Sequence, residues 1–526
     1  MNRAGLVWLA AAVTFAVSSM GSVLLAHPNL EASFGPIDDH EPLSWLGSDG
    51  RTSPAEALSA YVGGTEVGLW PDASRFRPFY YAVRIGQALV FGDNVQLWYA
   101  SVLVLYAVTC TIGGLVFALL VDRALALKEG LRSAVVFLGT SLVGAAAWSG
   151  LSAWAGIVAR LGPSESLGLL GLALTLLGMV QLSFRLSQWW WTLVLVGAYV
   201  SVWSKESFFG VAGGVALLML YLYARDRRTA DLLLGAVGLV PVLVLTPVLL
   251  GTSADIYGRP VGVGRLEVAV NSIFHVFGTY WAPAAAVLLL SGLAWAWTFR
   301  SVSRLAIAYV FGLIAWMILL LMADVYVQGG EYVHWRYWAV FDVAKMLMVL
   351  GSVILGLAAL RRSTGLFRWA SVGVLALSLV ALVRLGSATI QGWSAISQEA
   401  QTNRDATIAF SRDVSAFIEL VGGGPAGVVV SHPVEYEPAR AILQRLFFAM
   451  DPQAERFLLP TKYAQEDATW NALRVMAESG NPLWHVAPGV NLEELAPVPC
   501  SFVNVDPFPL EECDGTRSVR IDARGM

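Results

Sequence analysis

Residues 95–121 read VQLWYASVLVLYAVTCTIGGLVFALLV, which is 27 consecutive positions without a charged side chain. A helix crosses the hydrocarbon core of a bilayer with about 20 largely apolar residues. This segment is therefore long enough to span a membrane. Hydrophobic residues make up 56% of the 526-residue chain and charged residues 14%, against about 25% charged residues in soluble proteins. The composition excludes a soluble enzyme, and the net charge of −4 offers no basic surface for nucleic acid.

Similar apolar segments recur before and after this one. We interpret the first, which follows Arg3, as a retained span and not as a cleaved signal peptide, because Leu24 is too large for a cleavage site before Ala26. The sequence predicts a polytopic α-helical membrane protein with about eleven transmembrane helices. The predicted spans are 6–25, 95–121, 133–158, 167–184, 189–203, 208–224, 232–250, 272–297, 305–323, 339–360 and 368–386.

Positive charges in the short loops predict the orientation of the chain. Arg3 and the Lys and Arg residues near 123–132, 225–228, 300–304 and 361–368 fall on one side of the eleven-span arrangement. The N-terminus is then cytoplasmic, and the odd number of spans places the C-terminal segment outside. The predicted outer loops are 26–94, 159–166, 204–207, 251–271 and 324–338.

The charge balance changes near residue 387. Residues 1–386 hold 24 Lys and Arg against 20 Asp and Glu, whereas residues 387–526 hold 10 against 18. We expect a transmembrane domain over 1–386 and an extracytoplasmic α/β domain over 387–526. Turn residues and apolar runs in the second domain predict strands at 427–431, 482–486 and 501–505, with helices at 438–450 and 468–478.

An acidic turn follows the first span in the long outer loop 26–94. It reads Gly35-Pro36-Ile37-Asp38-Asp39-His40-Glu41-Pro42. Adjacent acids repel each other, which raises the pKa of one of them and suits a general base. Two other interpretations stay open. The turn can be a solvated helix cap, or it can bind a metal ion, although consecutive residues cannot all point at one ion.

Two arginines follow in the same loop, within Arg75-Phe76-Arg77-Pro78-Phe79-Tyr80-Tyr81. Proline disfavours helical backbone at the preceding residue, so Arg75 and Arg77 project to one face of an extended segment. Two guanidinium groups on one face suit an anion. The alternative is that both arginines lie at the membrane interface beside an aromatic belt.

Two shorter outer loops also carry charges. Lys205 and Glu206 follow Trp203 in a very short turn, which places both at the membrane boundary, where charged residues are functional candidates. A simple loop pair is the alternative. Arg160 and Glu165 flank Gly162-Pro163-Ser164, where Ser164 is expected to cap the following helix.

A last charged group lies in the predicted loop 324–338. His334 and Arg336 stand among tyrosines and tryptophans, an arrangement that suits a phosphate or a sugar ring as well as an aromatic belt. Asp342 and Lys345, spaced i,i+3 in the next span, are expected to pair or to face the bundle interior.

In this order, the pieces resemble the GT-C superfamily of membrane glycosyltransferases. The family has one span, a long outer loop that begins with paired acids, further spans and often an outward C-terminal domain. Asp38-Asp39 match the acidic pair, and Lys205-Glu206 resemble the Lys-Glu pair of some branches. The likeness covers residues 1 to about 386 in architecture and few residues in motif. A Trp-Trp-Asp motif, expected of oligosaccharyltransferases, is missing, so en bloc glycan transfer is disfavoured.

The resemblance implies inverting transfer of a monosaccharide from a polyprenyl-phosphate carrier to an acceptor hydroxyl. Asp38 or Asp39 would be the base, and Lys205 would bind the donor phosphate. Charge placement, not the family, suggests Arg75, Arg77 and Arg336 as further phosphate contacts. The possible supporting residues are His40, Glu41, Glu206, Arg160, Glu165 and His334. The resemblance gives no definite cofactor, and a divalent cation stays open.

We therefore expect a glycosyltransferase of the bacterial inner membrane with a periplasmic C-terminal domain. Its acceptor would be a glycan, a glycolipid or a protein. A transporter or flippase of lipid-linked glycans and a polysaccharide-polymerase-like protein are the alternatives. Transporters often show inverted repeats and charges near the bilayer midplane. This sequence shows no such repeats, and its outer-loop charges lie at the predicted membrane boundary.

Overall fold

A computed structural model describes residues 3–35, 39, 42–43, 45–47, 49–65, 67–68, 76–125, 130–182, 188–251, 282–298, 339–421, 426–430, 456–460 and 483–486. Thirteen α-helices occupy these ranges. They are α1 (Arg3–Ala26), α2 (Pro54–Gly63), α3 (Pro78–Phe91), α4 (Val95–Leu125), α5 (Leu131–Ser149), α6 (Ala153–Val158), α7 (Glu165–Leu182), α8 (Gln188–Val202), α9 (Phe209–Asp226), α10 (Thr229–Gly251), α11 (Ala282–Thr298), α12 (Ala339–Arg362) and α13 (Leu366–Val421). Short 3-10 turns at His27–Glu31 and Glu206–Phe208 follow α1 and precede α9.

Most of these helices are apolar along their whole length. Within the described ranges, seven are long and apolar enough to cross a membrane, namely α1, α4, α7, α9, α10, α12 and α13. The apolar parts of α5, α8 and α11 are shorter. The chain is thus a polytopic helical protein of membrane type. The total of eleven spans stays a prediction, since the predicted span 305–323 lies outside the described residues.

The predicted span 133–158 differs from the structure, which breaks it into α5 and α6 at the turn 150–152. The turn lies directly against α13, because a Cβ added to Gly150 would lie 2.4 Å from Thr389 Cγ2. Beside it, Trp393 Nε1 donates to Ser149 Oγ at 2.8 Å. Hydropathy alone cannot distinguish a turn buried under another helix from a continuous span.

Helix α4 lies at the centre of the bundle and packs against α1, α5 and α7. Polar contacts show that α1 and α4 are antiparallel. Arg3 pairs with Asp122 at one end. At the other end, Asn403 Nδ2 donates to Asn29 Oδ1 and to Tyr99 OH, both at 3.0 Å. We call this second end the polar end; it comprises residues 29–35 with Asp39, 76–81, 158–165 and 203–207.

Helices α7 and α8 approach each other closely at two glycines. A Cβ added to Gly171 would lie 2.4 Å from Ser201 N, and one added to Gly197 would lie 2.6 Å from Thr175 N. Any side chain at either position would force the helices apart. In addition, Ser201 Oγ donates to Gly168 O at 2.9 Å. This contact holds the start of α7 beside the turn that follows α8.

Helix α13 is continuous through 56 residues, from Leu366 to Val421. The predicted domain boundary at 386/387 therefore lies inside a helix. The sequence becomes more polar there, but the backbone hydrogen bonding does not change. Residues 389–407 pack on the polar end and on the turn after α5.

Three strands of the C-terminal segment form a small parallel sheet. Strand β1 (Ala426–Val430) lies between β2 (Arg456–Pro460) and β3 (Leu483–Val486). Val428 is paired with Leu458 on one side and with Trp484 on the other. The predicted strands 427–431 and 482–486 correspond to β1 and β3, whereas β2 was not predicted. The predicted helices 438–450 and 468–478 and the strand 501–505 lie outside the described residues, so the α/β class of this segment stays a prediction.

Candidate functional site

Asp39 lies buried at the polar end and accepts three hydrogen bonds. Its Oδ2 accepts from Gly35 N at 2.8 Å and from Tyr99 OH at 3.2 Å, and its Oδ1 accepts from Leu161 N at 2.8 Å. Only 1% of the residue is exposed. These three donors are neutral, and two of them are on the backbone. They tie Asp39 to Gly35, to the loop 159–164 and to α4.

The network continues from Tyr99 to the long C-terminal helix. Asn403 contacts both Tyr99 and Asn29, and Asn29 Nδ2 donates to Val158 O at 2.9 Å. Asn29 is fully buried, so these bonds satisfy amide groups that would otherwise be costly to bury. Four chain-distant segments therefore meet around Asp39.

Arg77 lies at the start of α3, where Pro78 fits the first helical position. The backbone N–H groups of Phe79 and Tyr80 donate to Trp203 O at 3.1 and 3.4 Å. The carbonyl of Trp203 thereby satisfies the first turn of α3 and brings the turn 203–207 beside Arg77. As a result, Arg77 Nε lies 3.8 Å from Glu206 Oε1.

Aromatic rings surround the guanidinium group of Arg77. Its Nη2 donates to Tyr81 OH at 3.0 Å, and its Cζ lies 5.2 Å from the ring centre of Tyr80 and 5.3 Å from that of Tyr81. Arginine stacks on aromatic faces more favourably than lysine does. The charge is therefore held in a fixed position while most of the side chain is excluded from solvent.

Lys205 reaches the start of α7. Its Nζ lies 3.4 Å from Glu165 Oε1, and the two side chains are 11% and 2% exposed. The predicted cap at Ser164 is wrong: within the described residues, its buried Oγ has no hydrogen-bond partner. The buried Oγ of Ser207 is in the same situation. Each hydroxyl is next in sequence to a carboxylate of an ion pair.

One residue links the two halves of the polar end. Tyr80 OH donates to Gly162 O at 2.7 Å. The same loop contains Arg160, which is half-buried. The loop 159–165 thus contacts Asp39 through Leu161, α3 through Gly162 and Lys205 through Glu165. We use the name charge-pair cluster for Arg77, Glu206, Lys205 and Glu165.

Six of the predicted site residues thus lie at the polar end. Asp39 accepts the three hydrogen bonds described above, Arg160 lies in the loop 159–165, and the other four form the charge-pair cluster. The remaining predicted site residues lie outside the described residues; they are Asp38, His40, Glu41, Arg75, His334 and Arg336. No group of three His, Cys, Asp or Glu side chains in the described ranges is close enough to hold a metal ion.

Three residues at or near the polar end were not predicted from the sequence as site residues: Arg84, Tyr99 and Asn403. Arg84 is buried, stacks over the Tyr80 ring at 5.6 Å and donates to Gln87 Oε1 at 3.0 Å. Its spacing of seven residues from Arg77 puts both on one helix face, a signal that was present in the sequence. No comparable signal marks Tyr99 or Asn403, which are 304 positions apart.

Asp342 and Lys345 pair within the first turns of α12, as predicted, with Oδ1 and Nζ 2.5 Å apart. Ser152 Oγ donates to Asp342 Oδ2 at 2.7 Å. Through Ser152, this pair contacts the break between α5 and α6.

The charge-pair cluster has a defined chemical capability. It holds two cations and two carboxylates in surroundings that are largely shielded from water. Lysine and arginine side chains are the groups with which proteins usually bind phosphate and carboxylate anions. The chain matches no known protein-family model and no curated protein.

Proposed function

We propose that this protein is an integral-membrane glycosyltransferase. It transfers a monosaccharide from a polyprenyl-phosphate carrier to an extracytoplasmic acceptor hydroxyl, with inversion at the anomeric carbon. The observation that supports this proposal is the charge-pair cluster, which draws two cations from different loops to one end of an apolar bundle. Burying an ion costs on the order of several kcal/mol, so a contribution to stability does not by itself explain four buried charged side chains.

The position of the cluster favours a reaction at the membrane boundary. Arg77 precedes the first residue of α3, Glu165 begins α7, and Lys205 follows the last turn of α8. In the proposed topology, this is also the depth of a lipid-linked phosphate, whose isoprenoid chain would stay among the helices. A transport path would instead place charged groups near the bilayer midplane.

The proposed roles follow from these contacts. Lys205 and Arg77 neutralise the leaving phosphate, with Arg75 and Arg336 as further candidates. Glu165 and Glu206 hold the two cations in place until the ligand arrives. Because Asp39 is buried and already accepts three hydrogen bonds, we assign the base to Asp38 and a positioning role to Asp39. His40, Glu41, Arg160 and His334 are kept as supporting candidates.

The chemical step needs little beyond positioning and charge neutralisation. The acceptor hydroxyl oxygen attacks the anomeric carbon, and Asp38 takes its proton. The bond between the anomeric carbon and the phosphate oxygen breaks, and its electron pair stays on the phosphate. The extra negative charge is then stabilised by Lys205 and Arg77.

The experiment is a transfer assay with the full chain in lipid nanodiscs. A panel of polyprenyl-phosphate hexoses and pentoses is supplied with water-soluble and lipid-linked glycan acceptors, and free polyprenyl phosphate is quantified by mass spectrometry. We expect release with one donor, and a loss of at least about 100-fold in Asp38→Asn, in line with removal of a general base. Asp49→Asn, which changes an exposed carboxylate bonded to the Arg51 N–H, is the control and should keep full activity.

Two results would overturn the proposal. The first is full activity of Asp38→Asn, which would remove the assigned base. The second is translocation of intact lipid-linked glycan across a proteoliposome without release of carrier phosphate, which would identify a flippase.

A further inference from the structure

Polar side chains of α13 make long-range contacts at residues 403–407, which lie after the predicted span 368–386. At about 1.5 Å per residue, its 56 residues extend roughly 84 Å, well beyond the 30 Å of a bilayer core. The strand β1 begins only five residues after the helix ends. The part of α13 between residues 403 and 407 lies against Gly35.

Three residues of this part contact the segment that leads into the acidic turn. Asn403 Nδ2 donates to Asn29 Oδ1 at 3.0 Å, and Thr407 Oγ1 accepts from Ser33 N at 3.1 Å. Arg404 Nη1 lies 3.3 Å from Glu31 Oε2 at the surface. The helix therefore fixes the backbone of residues 29–33 at both ends.

Two further contacts reach Asp39 itself. Asn403 Nδ2 also donates to Tyr99 OH, which in turn donates to Asp39 Oδ2. Gly35 is enclosed on the other side, since a Cβ there would lie 3.1 Å from Thr407 Cγ2 and 3.3 Å from Asp39 Oδ2. Gly35 and Asp39 are thus held between α13 and the loop 159–164, and a side chain at position 35 would press on both Thr407 and Asp39.

We propose that Asn403 and Thr407 are positioning residues that hold residues 29–35 and Asp39 in place. Helix α13, which ends five residues before β1 begins, thereby sets the geometry of the candidate site. Any ligand or partner that shifts α13 would change how firmly residues 29–35 and Asp39 are held. By thermodynamic linkage, a ligand that binds at Asp39 would in turn affect the position of α13. This inference does not depend on the reaction that the site performs.

The direct test is hydrogen–deuterium exchange of the full chain in nanodiscs, read in peptides that cover residues 29–39 and 159–163. Asn403→Leu and Thr407→Val should each speed exchange of residues 29–39 by about tenfold, because local opening becomes easier when a hydrogen bond is lost. Gln398→Leu, an exposed position on the same helix, is the matched control and should leave both peptides unchanged. Unchanged exchange of residues 29–39 in both variants would overturn the inference.

A double-mutant cycle distinguishes a positioning role from general loss of packing. If Asn403 acts through Tyr99, the effect of Asn403→Leu on residues 29–39 should fall at least threefold in the Tyr99→Phe background. Asn403→Gln keeps the amide donor and should recover part of the protection. Fully additive effects, or equal exchange in the Leu and Gln variants, would contradict the role assigned to Asn403.

The outcome is separable from the proposed function. Absence of glycosyl transfer together with faster exchange in Asn403→Leu would remove the reaction and keep the positioning role. Transfer activity together with unchanged exchange in Asn403→Leu and Thr407→Val would keep the reaction and remove the positioning role.

Discussion

Two groups of buried carboxylates lie at the polar end, and they are held in different ways. Asp39 accepts from two backbone N–H groups and a tyrosine hydroxyl, all of them neutral. Glu165 and Glu206 instead face the side-chain cations of Lys205 and Arg77. Backbone donors keep their positions, whereas the long side chains of lysine and arginine have several rotatable bonds. In the proposed function, the contacts at Asp39 are therefore structural, and those of the charge-pair cluster are the ones that a ligand would exchange.

The two groups of carboxylates are also expected to lose different amounts of free energy when a residue in them is substituted. A carboxylate held by neutral donors loses hydrogen bonds when it is changed to an amide. A carboxylate held by a cation loses its charge compensation when the cation is removed. The second loss is larger in a low-dielectric site. The expected effects of substitution therefore differ between the two groups.

The largest effect is expected for Lys205→Met, which removes one cation and leaves Glu165 deeply buried. Loss of one partner of a buried ion pair costs about 3–5 kcal/mol. The free energy of unfolding, measured by denaturant titration in detergent micelles, should fall by this amount. The double variant Lys205→Met/Glu165→Gln should recover most of the loss, since no charge is then left uncompensated.

The control is Arg404→Gln, because its partner Glu31 is 63% exposed and surface pairs contribute about 0–1 kcal/mol. An equal loss in Arg404→Gln and Lys205→Met would contradict the distinction between the charge-pair cluster and an ordinary surface pair.

A smaller effect is expected for Asp39→Asn. The amide keeps one acceptor oxygen but turns an NH2 group toward donors that previously bonded to the carboxylate. The expected loss is about 1–3 kcal/mol of unfolding free energy. Asp49→Asn is the matched control, because this exposed carboxylate accepts only the Arg51 N–H bond at 3.0 Å among the described contacts. If Asp39→Asn lowers the free energy of unfolding by less than Asp49→Asn does, the hydrogen bonds around Asp39 do not stabilise the protein.

The smallest effect concerns pH and lies away from both groups, at the start of α2. The backbone N–H and hydroxyl of Ser53 lower the pKa of Glu56 below its ordinary value. A lowered folded-state pKa contributes stability above the unfolded pKa of about 4.3, and the contribution is lost as pH falls through the lowered value. The difference in melting temperature between the wild type and Glu56→Gln should be constant above about pH 5 and shrink below it. A constant difference down to pH 3 would contradict this assignment.

The helical architecture was largely predictable, because apolar runs such as 95–121 follow directly from the thickness of a bilayer. Two features were not. The turn at Gly150 and the continuation of α13 past residue 386 depend on contacts between distant segments, which hydropathy does not record. Gly150 lies against Thr389, and Asn403 lies against Tyr99 and Asn29.

The sequence allowed most of the residues of the candidate site to be predicted, but not which cation pairs with which carboxylate. Position along the chain indicated that Asp39, Arg77, Glu165 and Lys205 belong to outer loops, and the structure brings them to one end. The pairing of Lys205 with Glu165 depends on the close packing of α7 on α8 at Gly171 and Gly197. A single sequence gives no measure of that approach.

The central claim is that the charge-pair cluster binds the phosphate of a lipid carrier, and equilibrium binding tests it most directly. Polyprenyl monophosphate and the uncharged polyprenol of the same length are titrated into nanodiscs that contain the wild type or the stable Lys205→Met/Glu165→Gln variant. We predict that the variant binds the phosphate at least about tenfold more weakly, which is 1.4 kcal/mol of binding free energy, while the polyprenol binds both proteins equally. Equal affinity of both proteins for the monophosphate would contradict the claim.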